Sequence, residues 1–480
     1  MVRKKLNGKL HRRLFRGAFA ACLFWTATTS IADTTEAEKP HGALVRALFG
    51  ETLERDHEIG VMGIAHVTLA ESNRDIAKTQ LPQGRGRGLQ PQGGLTQDEG
   101  LNLQYVGFIL CKASACPLGH KFKPNRNVIS RVTPLPGPRG EEIIVDWLLV
   151  ALYGEDALFF STKGFDDWRW DAENKHRFAL AEWALDIYLP IGAGASMLIG
   201  SWHSLMAQEI GKPLVPPNLF SSRTYAFMAG PAKHVGVMTQ FKLPLDPTIG
   251  HASVGLGIVG DWNSLDFGSG SGGPTFMLTG RWRSPDMRTW LDVEMIYGNG
   301  EDDFGDSKVV NGVTRPLGGG SQYLALSSTD AYLDRFVGYF TGSHSATERL
   351  TLVFESVYGY QEGGDLSPTP FAITRNSEFY GANGGFRYRL SDHVHIGARA
   401  EWFRDEHAAN VLWSGVGATG GEVYALTASL GWEPIPYLLV RPEVKFDIYD
   451  GGGHLFAAGA SGLASRDTQL LGVINFEFRF

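Results

Sequence analysis

Two segments near the end of the chain alternate between apolar and polar residues with a period of two. In residues 438–449 one set of positions holds Leu438, Val440, Val444, Phe446 and Ile448, and the other holds Arg441, Glu443, Lys445, Asp447 and Tyr449. Residues 472–480 repeat the pattern. Because successive side chains of a strand point to opposite faces, each strand has one wholly apolar face and one polar face. This pattern is typical of the strands of a transmembrane β-barrel.

Sixteen segments of the chain are predicted as strands, and most are close to the roughly 9–11 residues that a tilted strand needs to span a bilayer. They are residues 58–69, 102–111, 143–153, 178–189, 195–203, 234–243, 251–261, 275–283, 289–299, 331–341, 349–360, 379–390, 394–405, 422–433, 438–449 and 468–480. The sequence therefore predicts an all-β fold, a transmembrane antiparallel β-barrel of about 16 strands with periplasmic termini.

The connections between these segments alternate between short and long. The short ones are rich in Gly, Pro and Asp, as compact turns are, and comprise residues 190–194, 244–247, 284–287, 391–393 and 434–437. The long ones comprise residues 70–101, 154–177, 204–233, 300–330, 406–421 and 450–467. Short periplasmic turns and long outer loops are expected of outer-membrane barrels. Residues 112–141 are an exception, because they are too rich in proline to form barrel wall.

The N-terminus has the pattern of an export signal. A basic segment precedes the apolar residues 17–25, and Ser30-Ile31-Ala32 matches a cleavage site, with a lipoprotein signal at Cys22 as the alternative. The predicted organisation is a signal peptide over residues 1–32, a short periplasmic segment over 33–57 and the barrel over 58–480. Removal of residues 1–32, which contain seven basic and no acidic residues, changes the formal net charge from −7 to −14. A chain with this negative net charge does not have the excess of basic residues that is typical of nucleic-acid-binding proteins.

Four short motifs support a family resemblance. They are Asn-Leu-Phe-Ser-Ser-Arg-Thr-Tyr-Ala-Phe at 218–227 with His-Val-Gly-Val at 234–237, Leu-Tyr-Gly-Glu-Asp at 152–156, Glu-Trp-Phe-Arg-Asp at 401–405 and Arg-Pro-Glu-Val-Lys-Phe-Asp at 441–447. With these motifs, residues 47–480 resemble the OmpL-like family of outer-membrane β-barrel porins. The resemblance implies a porin-like barrel in the cell outer membrane. The chain departs from the family pattern in the insert at 111–140 and on the third strand, where Leu148, Val150 and Leu152 are apolar.

A barrel of about sixteen strands is wide enough for an aqueous channel. The expected function is passive diffusion of small hydrophilic solutes across the outer membrane, without a cofactor. Two alternatives remain open: a non-conducting barrel that displays its loops as a scaffold or adhesin, and an outer-membrane enzyme active at the rim. The enzyme is not favoured, because the sequence has no G-x-S-x-G motif and no evident catalytic residues.

Strand parity predicts a set of charged side chains that face the lumen. The eight basic candidates are Arg281, Arg283, Arg387, Arg389, Arg399, Arg441, Lys445 and Arg479, and the nine acidic candidates are Glu182, Asp186, Asp292, Glu294, Glu355, Glu401, Glu443, Asp447 and Glu477. One interpretation is a charged pore wall that sets selectivity. The other is a network of cross-strand ion pairs that fills the interior. Since both signs are nearly balanced on the wall, no ion preference follows from it.

The loop at residues 204–233 is the candidate constriction of the pore. It carries Glu209, Lys212, Arg223 and Lys233, and its prolines stiffen it. If the loop folds inward, it narrows the pore and selects solutes by charge and size. The alternative is a loop packed over the rim.

Two cysteines and the last strand predict further features. Cys111 and Cys116 are expected to form a disulfide in an oxidising compartment, whereas a structural zinc site would need four ligands, so no metal is predicted. The last strand ends at Phe480 and resembles the recognition signal for the barrel assembly machinery. The other expected partners are outer-membrane lipid and small hydrophilic solutes, and a homotrimer is a hypothesis by analogy with general porins.

Overall fold

The computed structural model describes most of the predicted barrel. The described residues are 57, 59–73, 100–112, 142–162, 165–166, 176–204, 206–209, 218–260, 274–300, 307–310, 313–316, 333–362, 376–407, 412, 420–435, 437–457 and 464–480. By its internal contacts the chain divides into residues 1–39 and Pro40–Phe480, and every described residue belongs to the second unit. Within the described part, no helix has both the length and the apolar character needed to cross a membrane.

Sixteen strands form one closed antiparallel barrel, which confirms the predicted architecture. They are β1 (Ile59–Ser72), β2 (Gly100–Lys112), β3 (Ile144–Gly154), β4 (Arg177–Leu189), β5 (Ala195–His203), β6 (Lys233–Lys242), β7 (His251–Val259), β8 (Thr275–Arg283), β9 (Thr289–Gly300), β12 (Leu333–Ser345), β13 (Leu350–Gln361), β14 (Ser377–Ser391), β15 (Val394–Glu406), β16 (Gly420–Ile435), β17 (Leu438–Gly451) and β20 (Thr468–Arg479). Each predicted segment corresponds to one of these strands.

A few short elements lie outside the barrel wall. Two small hairpins pair β10 (Ser307–Val310) with β11 (Val313–Pro316) and β18 (Phe456–Ala457) with β19 (Ala464–Arg466). Among the described residues, two helices of four residues each, α1 (Ala157–Phe160) and α2 (Tyr225–Met228), lie in the β3–β4 and β5–β6 connections. The sequence did not predict these elements, since none is long enough to show a periodic pattern.

The barrel closes between its first and last strands. β1 and β20 pair antiparallel from Ile64 opposite Arg479 to Ser72 opposite Leu471. Consecutive barrel strands are hydrogen-bonded around the rest of the circumference. Closure leaves no unpaired strand edge, which a barrel in lipid requires because the bilayer core cannot satisfy backbone amide and carbonyl groups.

Side-chain direction follows the predicted alternation. On β17, Phe446 and Ile448 are 38% and 42% exposed, while Lys445 and Asp447 between them are fully buried. The outward positions on most other strands likewise carry exposed apolar residues, among them Leu256, Phe276, Leu352 and Leu426. The apolar outer surface and the charged interior are those of a barrel whose wall faces lipid.

Tight turns join the strands at one end of the barrel. The β14–β15 turn has two residues and the β8–β9 turn has five. In the β6–β7 turn, the carboxylate of Asp246 accepts hydrogen bonds from the amide of Thr248 at 2.8 Å and its hydroxyl at 2.7 Å. These hydrogen bonds lower the pKa of Asp246 and stabilise the turn as an Asx-turn does.

The interior also contains many apolar side chains, which a simple alternation between lipid and water does not predict. On β6–β17 a set of buried, inward-facing apolar residues occupies one position on each barrel strand; we call it the apolar collar. It comprises Met238, Val259, Met277, Ile296, Val337, Val357, Phe379, Phe403, Val423 and Tyr449. On β1–β4 a second buried cluster includes Ile64, Ile109, Val150, Leu152, Ala179 and Ala181.

Candidate functional site

The described residues of the β5–β6 loop, 204, 206–209 and 218–232, extend across the interior of the barrel. The base of the loop is closed by a hydrogen bond of 2.9 Å from the amide of Ser204 to the carbonyl of Ala232. From there its side chains and backbone reach β13–β17. In the order of the closed barrel of sixteen strands, β15 is eight strands away from β5, and β16 is eight strands away from β6. The loop therefore reaches the diametrically opposite wall.

The deepest described part of the loop is held by β17. Glu443 accepts hydrogen bonds from the backbone amides of Ser221 and Ser222, at 2.7 and 2.9 Å. Arg441, two residues earlier on the same face, donates from Nε to the hydroxyl of Ser221 at 3.0 Å and from Nη1 to the carbonyl of Asn218. The backbone amides of a buried loop have no neighbouring strand to bind. The carboxylate of Glu443 accepts charge-assisted hydrogen bonds from them instead.

The short helix α2 is fixed by three carboxylate and hydroxyl contacts at its N-terminus. The Thr224 hydroxyl accepts from the amide of Phe227 at 2.8 Å and caps the helix. Glu401 on β15 accepts from the amide of Ala226 at 3.1 Å, and Glu209 of the loop accepts from the amide of Thr224 at 2.9 Å. Negative charge is favourable there because the free amides carry partial positive charge.

Arg399 on β15 connects two parts of the loop. Its Nη1 donates to Glu209, and its Nη2 lies 3.3 Å from the hydroxyl of Ser222. The guanidinium also lies 4.5 Å from the centroid of the Phe220 ring. A planar guanidinium suits this position because it donates to a carboxylate and stacks on a ring at the same time.

Strands β12 and β13 hold the same loop from the next sector of the wall. Glu355 on β13 accepts from the amide of Gln208 and, at 3.4 Å, from the hydroxyl of Thr224. The hydroxyl of Tyr339 on β12 donates to the carbonyl of Ala226 at 2.5 Å. The loop is thus fastened on both sides of α2.

Lys445 on β17 lies between the loop and its own strand. Its Nζ donates to the carbonyl of Arg223 at 3.3 Å and lies 3.3 Å from a carboxylate oxygen of Asp447. The same ammonium is 4.7 Å from the centroid of the Tyr225 ring. Lys445 is fully buried, and these contacts replace the water that a charged ammonium would otherwise bind.

Arg223 of the loop is buried inside the barrel. Its Nη1 donates to the carbonyls of Phe220 and Ser221, at 3.2 and 3.4 Å. Burial raises the pKa of the Asp156 carboxyl well above its usual range, and the positive charge of Arg223 partly opposes this rise. The charge of Arg223 therefore favours the ionised form of Asp156.

A separate set of polar side chains lines β6–β9. Arg283 on β8 forms a bidentate pair with Asp292 on β9, with distances of 2.6 and 3.3 Å, and Arg281 lies 3.9 Å from the same carboxylate. Gln240 on β6 accepts from Thr279 at 2.7 Å and donates to Ser253 at 2.8 Å. This sector presents both charge signs and neutral hydrogen-bonding groups.

The family match agrees with this architecture. Residues 142–480, more than half of the chain, match the family described as "Putative beta-barrel porin-2, OmpL-like". The chain belongs to this family. Membership in this porin family indicates an outer-membrane barrel, and a channel rather than an enzyme. No curated protein matches the chain significantly.

Several solved structures of outer-membrane proteins are similar to the chain at low identity. The anion-selective porin from Comamonas acidovorans is 10% identical, with 88% of this chain and 99% of that chain covered and a TM-score of 0.49. The outer-membrane channel DcaP of Acinetobacter baumannii is 9% identical, with 88% and 97% covered and a TM-score of 0.46. A trimer form of OmpT from Vibrio cholerae is 8% identical, with 88% and 99% covered and a TM-score of 0.46. This similarity is too remote to indicate a solute, a selectivity or an assembly for this porin.

The charged wall residues that parity predicts occupy inward positions of the porin barrel. Most of them are at most 5% exposed, among them Arg281, Arg399, Glu401, Arg441, Glu443, Lys445 and Asp447. Arg387 is half-buried, with a guanidinium nitrogen 3.4 Å from Nδ1 of His395. The structure brings the β15 and β17 members of this set together with the loop.

The four loop residues singled out in the sequence have different positions. Glu209 and Arg223 lie buried inside the barrel. Lys233 lies on β6 and not in the loop; it is fully buried, and its Nζ donates to the carbonyls of Phe160 and Leu180. Lys212 lies outside the described residues.

The structure describes only one of the two cysteines of the predicted disulfide. Cys111 is buried on β2 and is disulfide-bonded. Cys116 lies outside the described residues, so its pairing with Cys111 stays a prediction.

Sequence reasoning missed the uncharged residues that hold the loop. Tyr225, Tyr339 and Phe220 are each at most 3% exposed and contact the loop or the wall through their rings or hydroxyls. The signal that could have identified them is the presence of aromatic residues in a long outer loop. An aromatic side chain in such a loop either faces solvent or packs inward, and Phe220, Tyr225 and Phe227 together favour inward packing.

Proposed function

We propose that the protein is a channel for passive diffusion of small hydrophilic solutes across the outer membrane. Family membership and the closed sixteen-stranded barrel support a channel. One observation carries the proposal: the charged β5–β6 loop is fastened across the lumen to β13–β17. A loop at that place limits the free cross-section of a barrel of this size, which by itself would enclose a wide aqueous lumen.

In this proposal the charged loop residues select the solute. Arg223 belongs to the loop, and Lys212 belongs to its part outside the described residues. Glu209 is also a loop residue, but its carboxylate is engaged by Arg399 and by the amide of Thr224, so it positions the loop. The wall residues on β15 and β17 position the loop instead of lining the route, because their side chains are engaged by it. The sector formed by β6–β9, with Arg281, Arg283 and Asp292, is then the wall that a solute would meet.

The second candidate is a non-conducting barrel that displays its loops as a scaffold. The burial of the inward charged residues favours it, since water in an open lumen would expose them. The two candidates differ in a single measurable property, which is conductance.

The deciding experiment is a planar-bilayer recording of the purified full-length protein in potassium chloride. A diffusion channel gives discrete, reproducible conductance steps, and its uptake of small sugars into proteoliposomes falls with solute size. A barrel without steps and without uptake, even when the β5–β6 loop is replaced by a short glycine-serine linker, would be a scaffold.

Export and assembly belong to the same proposal. We expect residues 1–32 to be removed as a signal peptide and the mature protein to reside in the outer membrane, in contact with lipid. The strand that ends at Phe480 would be recognised by the barrel assembly machinery, and the assembled protein would be a homotrimer. Sequencing of the mature N-terminus and crosslinking in isolated outer membranes test these points.

A further inference from the structure

Three arginines lie together on the inner face of β13 and β14, at the end of the barrel that carries the tight turns. Arg387 and Arg389 share the face of β14 on which Asn383 binds Glu355 inside the barrel. Arg349 directly precedes β13, and its carbonyl accepts a hydrogen bond of 2.8 Å from the amide of Arg389. We call Arg349, Arg387 and Arg389 the arginine cluster.

The positive charges of the arginine cluster are not neutralised by the wall around it. Arg349 and Arg389 are neighbours on adjacent strands, and like charges placed in this way are destabilising. On the inner face of β13–β16 at this end, the described residues include one carboxylate, that of Glu433, whose charge acts on Arg387. None of the three guanidinium groups forms an ion pair with a described carboxylate. The barrel therefore keeps an excess of positive charge here.

The arginine cluster is accessible to solvent, unlike the charged residues that hold the β5–β6 loop. Along the inner face of β14 the residues change from buried at Asn383 to half-buried at Arg387 and exposed at Arg389. Arg349 is exposed as well. By contrast, Arg399, which binds the loop from β15, is 4% exposed. The guanidinium groups of the cluster can therefore be reached by a dissolved ion.

The β5–β6 loop approaches the arginine cluster at Leu219. The Leu219 side chain packs on Gly397, where an added Cβ would lie 3.1 Å from it, and Gly397 is the cross-strand partner of Arg387. The carbonyl of Leu219 also accepts a hydrogen bond of 3.3 Å from the hydroxyl of Ser429 on β16. The cluster thus lies between the loop and the tight-turn end. A solute that has passed the loop along β6–β9 enters the space that the cluster faces before it leaves the barrel.

Guanidinium groups in this arrangement suit the oxygen atoms of an anion. A guanidinium presents its N–H donors in a plane that matches two oxygens of a carboxylate or a phosphate, and such charge-assisted hydrogen bonds are among the stronger ones. One nitrogen of Arg387 lies 3.4 Å from Nδ1 of His395, whose ring lies over Gly431, so this guanidinium is positioned against the wall. Arginines that line a pore favour anions, and a mouth with one sign of charge concentrates ions of the other sign.

We propose that the arginine cluster is a binding site for small organic anions, and that solutes with carboxylate or phosphate groups are among those that the channel carries. The site holds such an anion between the loop and the tight-turn end of the lumen. The second part of the inference rests on the proposed channel function and names a class of solute for it. Binding to the cluster does not require conduction, so the two parts can be tested separately.

The test compares three forms of the purified full-length protein. They are the wild type, the double variant Arg387→Gln/Arg389→Gln, and the matched control Arg288→Gln/Arg404→Gln, which loses the same charge at other places. Arg288 binds backbone carbonyls in the turn region, and Arg404 pairs with Glu422 on the outer face. Heat-modifiable migration in gels first verifies that each barrel has folded.

Two measurements are made on each form. Calorimetric titrations with citrate and with inorganic phosphate measure binding, at low ionic strength because salt screens exposed charges. Planar-bilayer recordings in a gradient of potassium citrate measure the zero-current potential. The comparison of the two titrations shows whether carboxylate or phosphate groups bind more tightly.

We expect the wild type to bind at least one of the two anions and the double variant to bind it on the order of tenfold more weakly, because two charged donors are lost. The control should bind as the wild type does. In the citrate gradient, the zero-current potential of the double variant should move toward cation preference, and that of the control should not.

The other outcomes separate the site from the channel. If the wild type binds neither anion, or if the double variant binds as tightly as the wild type, the site is refuted whether or not the protein conducts. If all three forms conduct with the same zero-current potential, organic anions are refuted as the solutes that the site selects. If binding depends on the cluster but no form conducts, the channel function is wrong and the binding site stands.

Discussion

The aromatic ring of Phe480 lies directly over Gly63 on the outer face of the barrel. Their backbones exchange two hydrogen bonds of 2.8 Å, and an added Cβ on Gly63 would lie 2.1 Å from a ring carbon. The Phe480 ring also makes an edge contact with Phe108 at 6.1 Å. The last residue therefore fastens the strand that closes the barrel, and a glycine opposite it provides the space.

This relationship predicts that Gly63→Val destabilises the closed barrel. The valine side chain displaces the Phe480 ring, and overpacking of this kind costs about 1–3 kcal/mol. The thermal midpoint of heat-modifiable gel migration should fall. Gly280→Val is the matched control, because an added Cβ on Gly280 meets no atom within 4 Å. Equal losses in both variants would contradict a specific role for the contact.

The outward direction of Phe446 predicts the effect of a charge on the lipid face. Phe446→Lys should impair assembly, since a lysine near the middle of the bilayer costs roughly 2–4 kcal/mol on such a face. Phe446→Leu, which stays apolar, should assemble normally. The measurement is the folded fraction in isolated outer membranes, by gel migration without heating. Normal assembly of the lysine variant would mean that this position does not face lipid.

The contact of Glu443 with two loop amides predicts a local loosening in Glu443→Gln. The amide side chain loses the negative charge and has one acceptor oxygen instead of two, and a hydrogen bond to a charged group contributes about 1.5–3 kcal/mol. Amide hydrogen exchange at residues 221–226 should accelerate. Glu477→Gln on β20 is the control, because Glu477 pairs with Arg479 at 2.9 Å. Unchanged exchange in Glu443→Gln would mean that other contacts suffice to hold the loop.

The position of Arg223 inside the barrel predicts its effect on ion selectivity. Arg223→Gln removes a positive charge from the loop, so the zero-current potential in a potassium chloride gradient should move toward cation preference. Arg404→Gln is the control, since Arg404 is 41% exposed on the outer face of β15, where it pairs with Glu422 at 2.9 Å. Equal shifts in the two variants, or none in Arg223→Gln, would place Arg223 outside the route of the ions.

The predicted disulfide can be tested directly. Mass spectrometry of unreduced peptides from freshly isolated outer membranes should show Cys111 linked to Cys116. A bond across so short a loop gives a small gain in stability, so Cys116→Ser should fold with a similar thermal midpoint. Alkylation of both thiols without prior reduction would rule the pairing out.

The sequence by itself determined the wall of this protein. A strand between lipid and the barrel interior must alternate, so the residue types on β17 and β20 already indicate which side chains face outward. The turn residues indicate where each strand ends, and for β5 and β8 the predicted bounds are those of the structure. These properties depend on neighbours within about ten residues along the chain, and for that reason they can be read from the sequence.

Only the tertiary structure decided what fills the interior of the barrel. Ser221 and Glu443 are 222 residues apart in sequence, and no local pattern relates a loop amide to a carboxylate on a distant strand. The same holds for Lys233. The sequence suggests that it is a charged residue of the constriction loop, but its Nζ is buried against the carbonyls of Phe160 and Leu180. The inward apolar collar was also hidden, because alternation separates the two faces of a strand but does not tell whether an inward residue meets water or another side chain. That distinction depends on where the β5–β6 loop lies once the barrel has closed.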